Sequence, residues 1–211
     1  DGHTVLAMRA VVGDRRHPTP MLTSAVESVI VNPPWVVPRS IIRHEIEPAL
    51  RRDPGYLARN RMAWQDGRLV QAPGPKNSLG RLKFEFPNTF SVYLHDTPAK
   101  SLFALDDRAR SHGCMRLERP LDLAAELLKA DPAWSRDAIQ AAIDAGATRT
   151  IRLPRKVPVA VVYWTVFPFA DGRIAFRDDL YGRDARLMHW LRGRAPAGPS
   201  VALADIGCPV G

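Results

Sequence analysis

Six consecutive residues, Ser111-His112-Gly113-Cys114-Met115-Arg116, combine side chains that could do chemistry. Cys114 is one of two cysteines, the other being Cys208 near the C-terminus, and a further histidine, His95, stands 19 positions upstream. An unperturbed thiol titrates at roughly 8.5, so near neutrality it needs a base to become a nucleophile. A nearby imidazole can take that proton and hold an ion pair with the sulfur. Gly113 lets the chain turn sharply beside the sulfur and present backbone N–H groups to a developing oxyanion. The chemistry proposed by this constellation is acyl transfer through a thioester on Cys114.

Three other readings use the same residues. A free cysteine is most often a small buried hydrophobe, but Ser, His, Gly and Arg neighbours do not resemble a core strand. His95, Asp96, His112 and Cys114 are residue types that ligate zinc, yet no Cys-x-x-Cys or His-Glu-x-x-His spacing accompanies them. A Cys114–Cys208 disulfide is the third, and two cysteines alone make no disulfide framework. We expect no metal and no cofactor, and a dispensable Cys208.

The elements that must position these groups follow from periodicity. Thr4–Val12 reads as a strand with Leu6, Met8, Ala10 and Val12 on its apolar face. Residues 21–31 fit a strand or a short helix, and Asn32-Pro33-Pro34 a loop. Residues 38–70 are charged, punctuated by proline and expected to be helical, with Ile41, Ile42 and Ile46 in one helix and Tyr56 and Leu57 in a second. Leu82–Phe86 and Phe90–His95 read as strands, the second placing Tyr93 and His95 on its less apolar face at the edge of a cleft. A polar connection, 96–110, returns the chain towards His95. One helix starts near Pro120, with Leu121, Leu123, Leu127 and Leu128; another is capped by Ser135, carries Ile139 and Ile143 and ends at Gly146. Arg149–Leu153 and Val157–Phe167 read as strands, the second central; Ala170-Asp171-Gly172 is a hairpin turn leading to Arg173–Phe176, and Trp164 is core. The pattern gives a β-rich α+β domain over residues 1–194, with a helical insertion at 38–70 and a Pro/Gly/Ala-rich tail at 195–211.

Composition narrows the partners. The formal net charge is +8, and residues 149–194 hold ten basic side chains against four acidic ones, so the excess lies away from Cys114. That suits a solvated face or attraction to an anionic polymer. No Gly-rich phosphate loop and no nucleic-acid module signature occurs, so nucleic acid is not expected as a partner. No apolar run reaches the ~18 residues of a membrane span. The chain does not begin with Met, and we read it as a piece of a longer exported protein.

The wider stretch resembles the L,D-transpeptidase family, the YkuD-type catalytic domain. The resemblance rests on Leu94-His95-Asp96-Thr97-Pro98 followed by Ser111-His112-Gly113-Cys114-Met115-Arg116. Around these lie Asn32-Pro33-Pro34-Trp35, Pro75-Lys76-Asn77-Ser78-Leu79-Gly80, Phe86-Pro87-Asn88, Pro120-Leu121-Asp122-Leu123-Ala124 and Phe176-Arg177-Asp178-Asp179-Leu180-Tyr181-Gly182. The blocks together match the large periplasmic branch of Gram-negative bacteria. The resemblance implies a mixed-sheet sandwich with a lid-like insertion, located in the periplasm. It implies that Cys114 attacks residue three of a peptidoglycan tetrapeptide stem, releases D-alanine and passes the acyl group to an amine of a second stem, giving a 3→3 cross-link. A lipoprotein lysine or water as acceptor, or a non-catalytic wall-binding module, are the alternatives. By position His95 is the general base, while His112 and Gly113 shape the oxyanion loop together with the Cys114 N–H. Ser111, Arg116, Tyr93 and Asp96 are the expected substrate contacts; Arg116 stands where some members carry Asn, and the side chain of Asp96 need not orient the base. Carbapenem β-lactams are expected to act as covalent inhibitors.

Overall fold

A strand buries alternate side chains, and the β6 segment (Leu82–Glu85) does so plainly, with Leu82 and Phe84 inward and Lys83 and Glu85 part-exposed. The computed structural model describes residues 3–169 and 171–193. Seven strands form one mixed sheet: β1 (Ala10–Gly13), β2 (Leu22–Val31), β6, β7 (Leu94–His95), β8 (Ala109–Ser111), β9 (Met115–Leu117) and β10 (Arg149–Val161), in the spatial order β10-β2-β6-β7-β9-β1-β8. The pairs β7–β9 and β1–β8 are parallel and the others antiparallel. Helices α4 (Pro120–Leu128) and α5 (Arg136–Asp144) pack on this sheet, and Ala124, Leu128 and Ile139 are fully buried in the core they share with Val29, Val31, Leu82 and Phe84. Pro120 occupies the first turn of α4, and the Ser135 hydroxyl accepts the Ala138 N–H at the start of α5. The fold is α+β and β-rich, as expected.

A second, smaller core belongs to the inserted segment. Trp35, Val37, Ile41, Ile46, Met62, Leu69 and Leu79 pack together, with Tyr93 touching both cores. The insertion is helical over α1 (Arg39–Ile41), a π-turn (Ile42–Ile46), α2 (Glu47–Arg52) and α3 (Tyr56–Arg59). Glu47 N–H bonds the Ile42 carbonyl five residues back, immediately before Pro48, which has no N–H to give to the helical ladder. The rest of the insertion departs from expectation. Met62–Gln65 (β4) and Arg68–Gln71 (β5) form a hairpin that pairs with Trp35–Val36 (β3) in a three-stranded sheet. Asp66 and Gly67 turn it with positive φ at both residues, the backbone a two-residue hairpin loop requires.

Other expectations fail for physical reasons. The first strand is only Ala10–Gly13, and its fully buried residue is Val11, while Met8 and Val12 pack on the main core from the other face. Of Phe90–His95 only Leu94–His95 pairs. The chain before it winds around Asn88, whose amide Nδ2 donates to the Phe86 and Val92 carbonyls and whose Oδ1 accepts from Phe90 and Val92 N–H. Ser91 takes a positive φ in that loop, which breaks the alternation. Arg149–Leu153 and the segment after it form a single strand, interrupted by a register shift between Arg152 and Val157, and it lies at the sheet edge rather than the centre. Pro154 and Pro158 lack ladder donors, which an edge strand tolerates and a central one does not. The strand stops at Val161; β11 (Val166–Pro168) and β12 (Ile174–Phe176) form a separate hairpin, and Trp164 is 67% exposed. Helix α6 (Arg183–Leu191) follows. The tail and Cys208 lie outside the described residues.

Asn32 fastens the helical layer to the sheet. It has φ +49 and is fully buried. Its Nδ2 donates to the carbonyls of Ala142, Ile143 and Ala147 at the end of α5, and its Oδ1 accepts from Arg81 Nε. Asn32→Ala takes the side-chain donor from the Ala142 and Ala147 carbonyls and the acceptor from Arg81 Nε, and keeps a left-handed backbone that alanine disfavours. We expect a loss of about 2–4 kcal/mol in urea unfolding; a loss below ~0.5 kcal/mol would contradict this role.

Candidate active site

The parallel pairing of β7 with β9 builds the site. Leu94 stands opposite Met115 and His95 opposite Arg116, and the Met115 N–H donates to the Tyr93 carbonyl at 3.1 Å. Stepping this register back by one residue sets Cys114 opposite Tyr93. Strand alternation then gives Tyr93, His95, Cys114 and Arg116 a common face, with His95 and Cys114 diagonal neighbours across the strand pair. His95 is 4% and Cys114 3% exposed. The histidine ends its strand, as its sequence context suggests, and is enclosed there.

Burial decides the state of His95. Removal from water lowers its pKa to about 3, and the positive charges of Arg116 and Lys83 act in the same direction, against backbone hydrogen bonding to Asp96 and Leu79. The imidazole is neutral across the physiological range. Its Nδ1 lies 2.5 Å from the Asp96 carbonyl oxygen, which can only accept, so Nδ1 carries the proton and Nε2 the lone pair. The backbone of Asp96 thus orients the base. Its carboxylate holds the adjoining chain: Oδ2 accepts the Arg81 N–H and Oδ1 pairs with Lys100. A Cβ at Gly80, where φ is +64, would come within 2.4 Å of that carboxylate, so glycine is required for this close approach.

The Cys114 loop is held bond by bond. Gly113 has φ +109, a conformation reserved in practice for glycine. The Ser111 hydroxyl donates to the Cys114 carbonyl at 2.6 Å and accepts the Gly113 N–H at 3.1 Å. Ser111, expected at the substrate, is 2% exposed and serves the loop itself. The Gly113 N–H points to this hydroxyl, while the Gly113 carbonyl accepts from the Thr19 hydroxyl. Tyr93 sets its ring edge-on to His95, with centroids 5.7 Å apart, and stacks beneath Lys83 Nζ at 4.3 Å.

His112 points outward to the insertion. Its Nε2 lies 2.9 Å from Oε1 of Glu45, on the π-turn, and its ring meets that of His17 at 4.6 Å between centroids. His17 Nδ1 is in turn 3.1 Å from Asp14 Oδ1. The hydrogen bond that His112 donates to Glu45 raises the pKa of His112 above its ordinary value and lowers that of Glu45; the charge of Arg116 opposes the first and assists the second. The zinc alternative finds no support in geometry: among the described residues no three His, Cys, Asp or Glu side chains gather to hold an ion. Thr19, Glu45, His17 and Asp14 carried no signal in the sequence. Each reaches the site only through tertiary contact; in the expected helix Glu45 stands only as a companion of Ile41, Ile42 and Ile46.

A buried thiol on a loop with fixed peptide planes, one strand across from a neutral imidazole, is placed for deprotonation and attack on a carbonyl. Comparison with known proteins gives the family. Residues 1–134 match the family model described as YkuD, the L,D-transpeptidase catalytic domain. A Haemophilus influenzae protein named "Putative L,D-transpeptidase" is 30% identical over 208 aligned residues, which take in 89% of this chain and 42% of the relative, so the chain spans less than half of that protein's length. With residues 1–134 matched by that model, the chain belongs to the YkuD L,D-transpeptidase catalytic domain family.

Proposed function

We propose that this chain is the catalytic domain of a cysteine L,D-transpeptidase that forms 3→3 cross-links in peptidoglycan outside the cytoplasmic membrane. The support for the reading is a buried, neutral His95 whose Nδ1–H is fixed on the Asp96 carbonyl, on a strand paired in parallel with the strand that Cys114 leads into. His95 Nε2 takes the thiol proton as the sulfur attacks the carbonyl of residue three of a donor tetrapeptide. The proton passes to the leaving nitrogen, D-alanine departs and a thioester remains on Cys114. An amine of a second stem then attacks the thioester, His95 accepts its proton, and the thiol is restored. Because His95 is neutral at rest, its Nε2 is free to take the thiol proton as the sulfur attacks. Arg116, opposite His95, suits a stem carboxylate. No described helix is long and apolar enough to cross a membrane.

The insertion closes over this site in our reading. Glu45 is the insertion's hold on the residue two before the nucleophile, and a cover so placed would retain the donor stem and exclude water from the thioester.

Carbapenems test the nucleophile and base. Intact-mass spectrometry should give one carbapenem adduct on the wild type and none on Cys114→Ala. His95→Ala should acylate about 100-fold more slowly near neutrality and recover partly at pH 9, where the thiol ionises unaided. An adduct on Cys114→Ala, or a His95→Ala rate that does not rise with pH, would overturn this assignment.

Glu45→Gln tests the cover. The folded pKa of His112 is raised, so the charged pair is complete below the ordinary histidine value of about 6.5 and is lost as pH rises through the raised value. Turnover of a muropeptide should fall several-fold in Glu45→Gln at pH 6, and the two proteins should converge at higher pH, while alkylation of Cys114 by a small reagent stays unchanged. A turnover ratio that is constant with pH would contradict the role given to this pair.

A further inference from the structure

Three successive peptide planes surround the Cys114 amide, and they are not held alike. The plane between His112 and Gly113 is fixed through the Gly113 N–H on the Ser111 hydroxyl, and the plane between Cys114 and Met115 through the Cys114 carbonyl on the same hydroxyl. The middle plane, between Gly113 and Cys114, is fixed from outside the loop. Its carbonyl accepts the Thr19 hydroxyl proton at 2.9 Å. Thr19 is 6% exposed, and its hydroxyl also accepts the Gly13 N–H at 2.8 Å, which commits the hydroxyl proton to Gly113.

Thr19 is itself held by the C-terminal segment. The Tyr181 hydroxyl donates to the Gly13 carbonyl at 2.7 Å and accepts the Thr19 N–H at 3.3 Å, and Arg183 donates to the Thr19 carbonyl at 3.1 Å. Arg183 lies over the rings of Tyr163 and Tyr181, 5.0 Å from each centroid. With its backbone fixed by Tyr181 and Arg183 and its hydroxyl by the Gly13 N–H, Thr19 holds the Gly113 carbonyl in direction as well as in distance.

A trans peptide points its C=O and its N–H in opposite directions. Drawing the Gly113 oxygen towards Thr19 therefore aims the Cys114 N–H the other way, away from Thr19. We propose that Thr19 is a positioning residue for the reaction: by fixing the Gly113 carbonyl it orients the Cys114 N–H towards the oxyanion of the tetrahedral intermediate. The inference rests on the transpeptidase reading above. It assigns Thr19 no contact with substrate and no part in ionising the thiol.

Thr19→Val removes the hydroxyl and keeps the shape, and Thr19→Ser restores the hydroxyl. Two reactions of the full chain separate the roles. Acylation by a disaccharide-tetrapeptide passes through an oxyanion; alkylation by iodoacetamide displaces iodide at an sp3 carbon and does not. We expect Thr19→Val to acylate about 10- to 100-fold more slowly, in kcat with KM little changed, with wild-type alkylation rate and pH profile, and Thr19→Ser to recover most of the loss. Equal acylation by Thr19→Val and wild type, or equal losses in acylation and alkylation, overturns the proposal while leaving the transpeptidase reading intact. A wild type that alkylates yet forms no acyl-enzyme overturns the reading and the proposal with it. If Thr19→Val does not fold, Tyr181→Phe, which loosens Thr19 from Gly13, should lower acylation selectively by a smaller factor; equal acylation there overturns the proposal.

Discussion

A histidine buried without a carboxylate partner must be neutral, and the site is organised around that constraint. Enclosure among β6, β7 and β9, with Arg116 opposite, keeps the proton off His95 far below neutrality. An imidazole in that state is a base but a poor ion-pair partner, and it needs a neutral acceptor to fix its tautomer. A backbone carbonyl meets that need where a carboxylate would raise the pKa. Asp96 supplies its carbonyl to the ring and turns its charge to Arg81 and Lys100, away from it. The side chain and main chain of one residue are thereby kept for different tasks.

The same division runs through the nucleophile loop. Ser111 and Thr19, both neutral and both buried, hold the backbone on either side of Cys114. The charged contact, His112 with Glu45, faces the insertion and is half open to solvent. Rigid hydrogen bonds fix the geometry inside, where an error of an ångström is costly. A solvent-screened ion pair joins the insertion, a weak and reversible contact of the kind the proposed cover would need. Tyr93 packs against both hydrophobic cores, so the strand that brings His95 also joins the insertion to the sheet.

Much of this was legible in the sequence because it is local. Pro120, Ser135 and Gly146 mark helices α4 and α5 through capping chemistry that depends on a few neighbours. Ser111-His112-Gly113-Cys114 stands out by composition, and β6 lies where the apolar run is, while 21–31 fits a strand or a short helix. The rest depends on partners distant in the chain. The apolar run 157–167 looks central until Pro154 and Pro158 are weighed as missing ladder donors, and Trp164 is apolar without being enclosed. Asp66-Gly67 is a hairpin signal set within a charged segment whose helical half dominates its character. The alternation across Phe90–His95 fails because the side chain of Asn88 takes bonds that a neighbouring strand would otherwise make. Thr19 and Glu45 are ordinary residues in ordinary contexts, and only the folded chain sets them beside Gly113 and His112.

The central claim is that Cys114 carries the acyl group between two stems. The most direct measurement incubates the wild type and Cys114→Ala with purified disaccharide-tetrapeptide and follows protein and products by mass spectrometry. The account predicts a tripeptide-stem thioester on Cys114, free D-alanine and 3→3 linked dimers from the wild type, and none of these from Cys114→Ala. Release of D-alanine or dimers by the alanine variant, or a wild type that makes dimers with no intermediate on Cys114, would contradict it.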